Sequence, residues 1–209
     1  MVQLPDGRPL AGRFVRLDPV VEDDLPALAD ILSDPVVYES GFVMWQRPGS
    51  RADALALARR HYLGTPPFDG KGAGRVAYAV RLASASEAGE AGTLVGTSSL
   101  GEAVAAHERL HLGWTLYSPR VWGSRVNPET KFLLLRHCFD DLGFGRVKIQ
   151  TDALNVRSAA AIDRLGAVRE GVLRRHSRRE DGSFRDTVVF SVVADDWPRV
   201  REGLLARLA

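Results

Sequence analysis

The chain has 209 residues, of which 45% are apolar and 26% charged, and its net charge is +2. That length and apolar share suit one full-sized core, and so small a net charge gives no ground for a nucleic-acid binder. Cys138 is the only cysteine, which excludes an intrachain disulfide; no apolar run of about 18 residues offers a membrane span, and MVQLPDGRPLAG lacks a signal peptide's apolar segment, so a cytoplasmic protein is expected.

In chain order, RFVRLDPV reads as a first strand. VEDDLPALADILSD follows as a helix, with Leu25, Leu28, Ala29 and Leu32 at helical spacing and acids in its first turn. RADALALARRHYL is a second helix. The aromatic, irregular YESGFVMWQRPG between them is either core packing or a pocket wall, the wall being formed by Tyr38, Phe42, Met44 and Trp45 and facing an acceptor. LGTPPFDGKGAG is a loop rich in proline and glycine.

VAYAVRL and GTLVGTSSLGEA read as strands joined by a hairpin loop, and LHLGWTLY as a third. Alternation puts Leu110, Leu112, Trp114 and Leu116 on one face, and His111, Gly113, Thr115 and Tyr117 on the other. A helix then runs to about Asp141. RVKIQTD is a strand, and NVRSAAAIDRLGA a helix capped by Asn155 and stopped by Gly166. VREGVLRRHSRR and FRDTVVFSVV are strands around EDGS, and DDWPRVREGLLARL closes the chain as a helix. The pattern predicts one α/β domain over residues 1–209, with a mixed, mostly antiparallel sheet of about seven strands flanked by helices.

The stretch SPRVWGSRVNPETK has the composition of an anion site. Asn127 reads as a helix cap and Pro128 as the first helical residue, so free N–H groups and a positive dipole face the preceding turn. Gly123 admits a close backbone approach, Ser124 offers a hydroxyl, and Arg120 and Arg125 add charge, a setting that suits a phosphate. A capped helix beside an exposed basic turn fits the same residues. TPPFDGKG fails the Walker pattern at Thr65 and Gly72, and no dinucleotide glycine motif follows the first strand. The segment Arg120-Val121-Trp122-Gly123-Ser124-Arg125 does fit [QR]-x-x-G-x-[GA], except at its last position.

These residues resemble the GNAT acyltransferase superfamily, and within it the RimJ/RimL-like branch. The resemblance covers nearly the whole chain, through FVRLDPVVEDDLPAL, LGWTLYSPRVWGSRVNPETKFLLL, LGFGRVKIQTDALNVRSAAAIDRLGAVREGVLRRH and DGSFRDTVVFSVVADDWP. It implies acetyl-CoA or another acyl-CoA as co-substrate, and no metal. Its pyrophosphate would lie on Arg120, Trp122, Gly123, Ser124, Arg125, Val126 and Asn127, mostly through backbone N–H groups. The pantetheine arm would pair with the strand end at Leu116 and Tyr117 and meet Asn155. Arg125 departs from the usual Gly or Ala, so its side chain must point away from the pyrophosphate or contact it.

Acyl transfer to an amine needs a base, an oxyanion donor and a proton for the leaving thiolate. The tyrosine that many members place seven residues after Asn155 is here Ile162. Ser158, on the same helix face as Asn155, is the branch's thiolate partner, or it bonds its own helix turn. His111 stands where the branch often has Glu, and reads either as a base or as a strand histidine satisfied by a neighbour. Glu102 and Glu108 are further base candidates, and a water chain needs none. Cys138 reads as core.

The implied reaction moves an acetyl group to a primary amine of a protein N-terminus, a lysine or a small molecule. Arg174, Arg175, Arg178 and Arg179, among nine arginines from Arg164 to Arg201, would favour an acidic acceptor or a succinyl donor. A non-catalytic CoA-binding module is the alternative, and an RNA- or ribosome-binding protein a more distant one. Pairing of the C-terminal strands between subunits would make a homodimer.

Overall fold

The computed structural model describes residues 2–41, 45–63 and 65–209. Its strands are β1 (Leu10–Ala11), β2 (Val15–Pro19), β3 (Arg75–Leu82), β4 (Leu94–Val104), β5 (Arg109–Tyr117), β6 (Arg146–Asp152), β7 (Val168–Arg178) and β8 (Phe184–Val193). They form one sheet in the order β1-β2-β3-β4-β5-β6-β8-β7. The expected sheet is present, with eight strands among the described residues instead of about seven. The extra one is the two-residue β1, too short to show any alternation, and it pairs with β2.

Helices α1 (Leu25–Ser33), α2 (Pro35–Glu39) and α3 (Arg51–Ala58) cover one face, and α4 (Val126–Arg136), α5 (Val156–Asp163) and α6 (Trp197–Leu208) the other. The short α2 lies in the stretch read as irregular. Asp34 caps it by accepting from Val36 N–H, and Pro35 starts it. β3 serves both layers: Ala77 packs toward α1 and α3, Tyr78 and Val80 toward α4.

The pairing of β5 with β6 is parallel and stops after Arg109, Leu110 and His111. Beyond that point the strands part. A β-bulge explains why. Thr97 pairs with Leu116 and Ser99 with Gly113, so Trp114 and Thr115 together face Ser98. Trp114 takes φ +49°, a left-handed conformation that tryptophan rarely adopts.

The bulge corrects the expected alternation. Leu110 and Leu112 pack on the α4 side, but Leu116 packs with Leu25, Leu28 and Leu57 on the other side, and Trp114 lies against His111. A period of two holds only while each residue has one partner across the ladder.

α4 is anchored by Glu129. Its carboxylate accepts from the backbone N–H groups of Arg13, Phe14 and Val15 at 2.8, 2.6 and 2.7 Å. That clamp ties the first turn of α4 to the start of β2, across more than a hundred residues of chain.

Candidate active site

Where β5 and β6 separate, a cleft of about 380 Å³ opens between them. Leu112 to Tyr117 of β5 form one wall, Ile149 to Asp152 of β6 and Asn155, Ser158 and Ile162 of the α5 region the other. Val121 to Ser124 and Asn127 also line it, as does Lys131 from further along α4, and Val37 and Ser40 reach it from α2 and the residue after it. The strand edge that β6 abandons carries backbone groups able to pair with an extended ligand.

The loop before α4 has the geometry of an anion cradle. Gly123 sits at φ +77°, and a Cβ there would meet nothing within 4 Å, so backbone conformation, not crowding, requires glycine. Trp122 N–H donates to Pro119 O and Ser124 N–H to Val121 O. The N–H groups of Gly123, Arg125 and Asn127 meet no acceptor among the described residues. Three uncommitted donors at a helix start, on a loop with a left-handed glycine, suit a phosphate.

The helix begins two residues earlier than read: α4 starts at Val126 with Arg125 at the cap position. Asn127 is therefore the second helical residue, and Pro128 the third, where its missing N–H is still one of the four that a helix leaves free. Ser124 differs from expectation too. Its hydroxyl donates to Val121 O at 2.6 Å and accepts from Val126 N–H at 3.2 Å, so it shapes the turn with its own proton already committed.

Arg125 points away from the cradle. Its guanidinium donates to Ala209 O at 2.8 Å and lies over the Phe14 ring. The departure from Gly or Ala therefore leaves the loop open. Arg120 is exposed in the turn before Trp122, outside the cleft wall. Trp122 ties the loop to β5, its indole N–H donating to Tyr117 O at 3.2 Å, and carries the Arg157 guanidinium 3.4 Å from its ring centroid.

Asn155 caps α5 through Oδ1, which accepts from Ser158 N–H at 2.9 Å, leaving its amide N–H groups uncommitted. The Ser158 hydroxyl lines the cleft and bonds no protein group among the described residues, its own helix turn included.

Other expected residues lie elsewhere. His111 is 4% exposed and lies under Trp114, with ring centroids 4.6 Å apart, so it is not on the cleft wall. Gly113 makes room for it, since a Cβ there would come within 2.5 Å of Nε2. Nδ1 is 3.5 Å from the Glu102 carboxylate; burial lowers the His111 pKa, which the nearby Glu102 partly offsets. Glu102 itself, beside the His111 ring and hydrogen-bonded to Lys148, is held down to about 2, too acidic to be an effective base at neutral pH. Glu108 stands in the β4–β5 turn away from the cleft.

Tyr38 donates to Leu32 O at 2.9 Å, and burial pushes it up to about 12. Trp45 packs on His61 and Tyr62. Neither lines the cleft; α2 contributes Val37 and Ser40 instead. Phe42 and Met44 lie outside the described residues. Cys138 is fully buried in the core. Among the described residues no cluster of three His, Cys, Asp or Glu is placed to hold a metal, and no helix is long and apolar enough to cross a membrane.

The cleft is basic. Lys131, Arg157, Arg164, Arg185 and Arg207 line it against one carboxylate, Asp152, which Arg179 grips with two hydrogen bonds of 2.9 Å. Of these, Lys131, Arg185 and Asp152 escaped sequence reading. Lys131 was within the α4 motif, but nothing in a linear pattern marks a lysine as buried.

Residues 15–168 match the sequence profile of the acetyltransferase (GNAT) domain. The chain belongs to the GNAT acetyltransferase family. A crystal structure from T. thermophilus, of a protein assigned as an acetyltransferase, is 37% identical over 100% of each chain, with a TM-score of 0.80. A GCN5-related N-acetyltransferase from Brucella melitensis is 24% identical over 98% of this chain and 87% of that one, TM-score 0.83. Mycobacterium smegmatis RimJ in complex with CoA-disulfide shares the fold at 19% identity, over 95% and 92% of the two chains, TM-score 0.67. No curated protein sequence matches this chain.

Proposed function

We propose that this GNAT protein is an N-acyltransferase of the RimJ/RimL-like branch. It moves an acetyl group from acetyl-CoA to the primary amine of a protein N-terminus, a lysine or a small molecule, by direct attack in a ternary complex in the cytoplasm. The observation that carries this reading is the cleft itself. A parallel strand pair that splits at a bulge leads to a cradle of three uncommitted N–H groups and a basic rim. That is a channel for an extended thioester with a pyrophosphate at one end.

In this reading the pyrophosphate lies on the N–H groups of Gly123, Arg125 and Asn127, with Arg157, Arg164 and Arg207 along the same cleft. The arm runs along the free edge of β5 near Leu116 and Tyr117, and the Asn155 amide donates to it. The Ser158 hydroxyl, free of protein partners, meets the departing sulfur. The acceptor enters from the α2 side, past Val37 and Ser40. With His111 under Trp114 and Glu102 too acidic, the amine loses its proton through water. A homodimer through the exposed β7 belongs to the same proposal.

The carboxylate-bearing donor or acceptor expected from Arg174, Arg175, Arg178 and Arg179 finds the first three on exposed β7 and Arg179 holding Asp152; from the following strand, β8, Arg185 lines the cleft. Its Nε is buried without a hydrogen bond, and its nearest carboxylate, on Asp152, is 3.9 Å away.

Isothermal titration with acetyl-CoA, succinyl-CoA and CoA tests the reading, beside Gly123→Trp. Binding near micromolar, about −8 kcal/mol, is expected for the native protein, with loss in the variant. Failure of all three ligands to bind would reject it.

A further inference from the structure

Lys131 has no part in the mechanism above, yet its setting is unusual for a lysine. It stands in the second turn of α4, 5% exposed, and lines the cleft. Its ammonium donates to Ser98 Oγ at 3.0 Å and to Thr115 Oγ1 at 2.7 Å. An ammonium has three N–H groups, and the third meets no acceptor among the described residues. No carboxylate pairs with it there either.

The charged groups around it do not neutralise it. Across β5 lies His111, with Glu102 committed to Lys148. Along the cleft are Arg157, Arg185 and Arg207, all cations, and Asp152 is committed to Arg179. A buried cation held only by hydroxyls is unfavourable until something supplies negative charge. Such sites are found where a ligand brings it. Thr115 belongs to the bulge at which β5 leaves β6, so Nζ is tied to the place where the strand edge opens. Burial alone lowers Lys131 to about 7, so both protonation states are populated at neutral pH.

We infer that Lys131 is a catalytic residue whose ammonium pairs with the sulfur of coenzyme A and holds it as a thiolate when the thioester breaks; this rests on the acyl-CoA reading above. The acceptor nitrogen's lone pair forms the C–N bond, and the C–S bonding pair leaves on sulfur. The third Nζ–H donates a hydrogen bond to that sulfur, and Nζ keeps its proton. The acceptor nitrogen releases one proton to water. The Ser158 hydroxyl hydrogen-bonds the same sulfur but cannot neutralise it, because a serine hydroxyl is far too weak an acid to remain ionised. In the product complex, the ammonium and the thiolate stabilise one another.

The test titrates CoA and desulfo-CoA into the wild type and into Lys131→Met, from mildly acidic to mildly alkaline pH, following heat and the ultraviolet absorption of the thiolate. In the wild type, bound CoA shows thiolate absorption well below the ordinary thiol value of about 8.5, and CoA binds roughly tenfold tighter than desulfo-CoA. In Lys131→Met, the absorption vanishes and the preference falls to within about twofold. The wild-type arm stands whether or not the variant folds. CoA that binds the wild type with its thiol still protonated overturns the role of Lys131 and leaves the acyl-CoA reading intact. No CoA binding by the wild type overturns both.

Discussion

Replacing Lys131 with methionine should make the unliganded protein more stable, and by an amount that depends on pH. At about 1.4 kcal/mol per pH unit, the fall from 10.5 to about 7 puts the cost of burying the ammonium near 5 kcal/mol. Methionine has nearly the same length and no charge. It forfeits two hydrogen bonds, at about 1 kcal/mol each. Ser98 and Thr115 are not orphaned, because their hydroxyls already bond one another at 2.8 Å. The net gain should be about 2–3 kcal/mol wherever the folded wild type holds the ammonium, within the range seen when buried ionic groups are replaced by apolar ones.

The sign of the pH dependence follows from a lowered lysine pKa. Below about 7 the folded and unfolded chains both carry the proton, and the folded state bears the full cost. From about 7 to 10.5 the folded chain has lost it while the unfolded chain has not, so wild-type stability climbs with pH. The variant lacks this climb. Denaturant unfolding of both proteins at about pH 6 and about pH 10 measures it, since other titrating groups cancel in the difference. Methionine should win at the lower pH and lose its advantage at the higher. An equal margin at both, or a less stable variant at pH 6, would refute the buried-cation account.

Glu129→Ala leaves three backbone N–H groups of the β2 start without their acceptor, and should destabilise the fold by about 3 kcal/mol in chemical denaturation. Asp152→Ala leaves the largely covered guanidinium of Arg179 without its carboxylate, though still bonded to Ser183 and Phe184, and should lose about 3 kcal/mol by the same assay; a loss under about 1 kcal/mol would mean the pair is solvent-screened. Ser158→Ala removes a hydroxyl with no protein partner, so stability should hold while kcat falls roughly ten- to a hundredfold, the worth of one charge-assisted hydrogen bond, in a steady-state assay with acetyl-CoA.

Much of the architecture was legible in the linear pattern. Helical spacing in LPALADILS, the apolar strand-forming run VAYAVRL, the Asn155 cap and the Gly166 stop are local properties, set by side chains within a few residues of one another. So was the cradle, because Gly123 and the helix start after it act through backbone geometry that neighbouring residues dictate.

The remainder needed contacts between distant segments. The bulge at Trp114 and Thr115 arises from how β5 registers on β4, and it alone moved Leu116 to the opposite face and placed His111 beneath an indole. Whether Arg125 points away from the pyrophosphate or contacts it was open in the sequence; its partners, Phe14 and Ala209, at the two ends of the chain, turn it away. For Tyr38 and Trp45 core packing and a pocket wall were both open; they turn inward because Leu32 of α1 accepts from Tyr38, and His61 and Tyr62, just past α3, pack on Trp45. The burial of Lys131 came only with packing. A lysine four residues into a helix looks solvated until strands β4 and β5 close over it with two hydroxyls and no acid. Side-chain spacing is a short-range property and could be read in advance, whereas burial and charge compensation are sums over the whole fold.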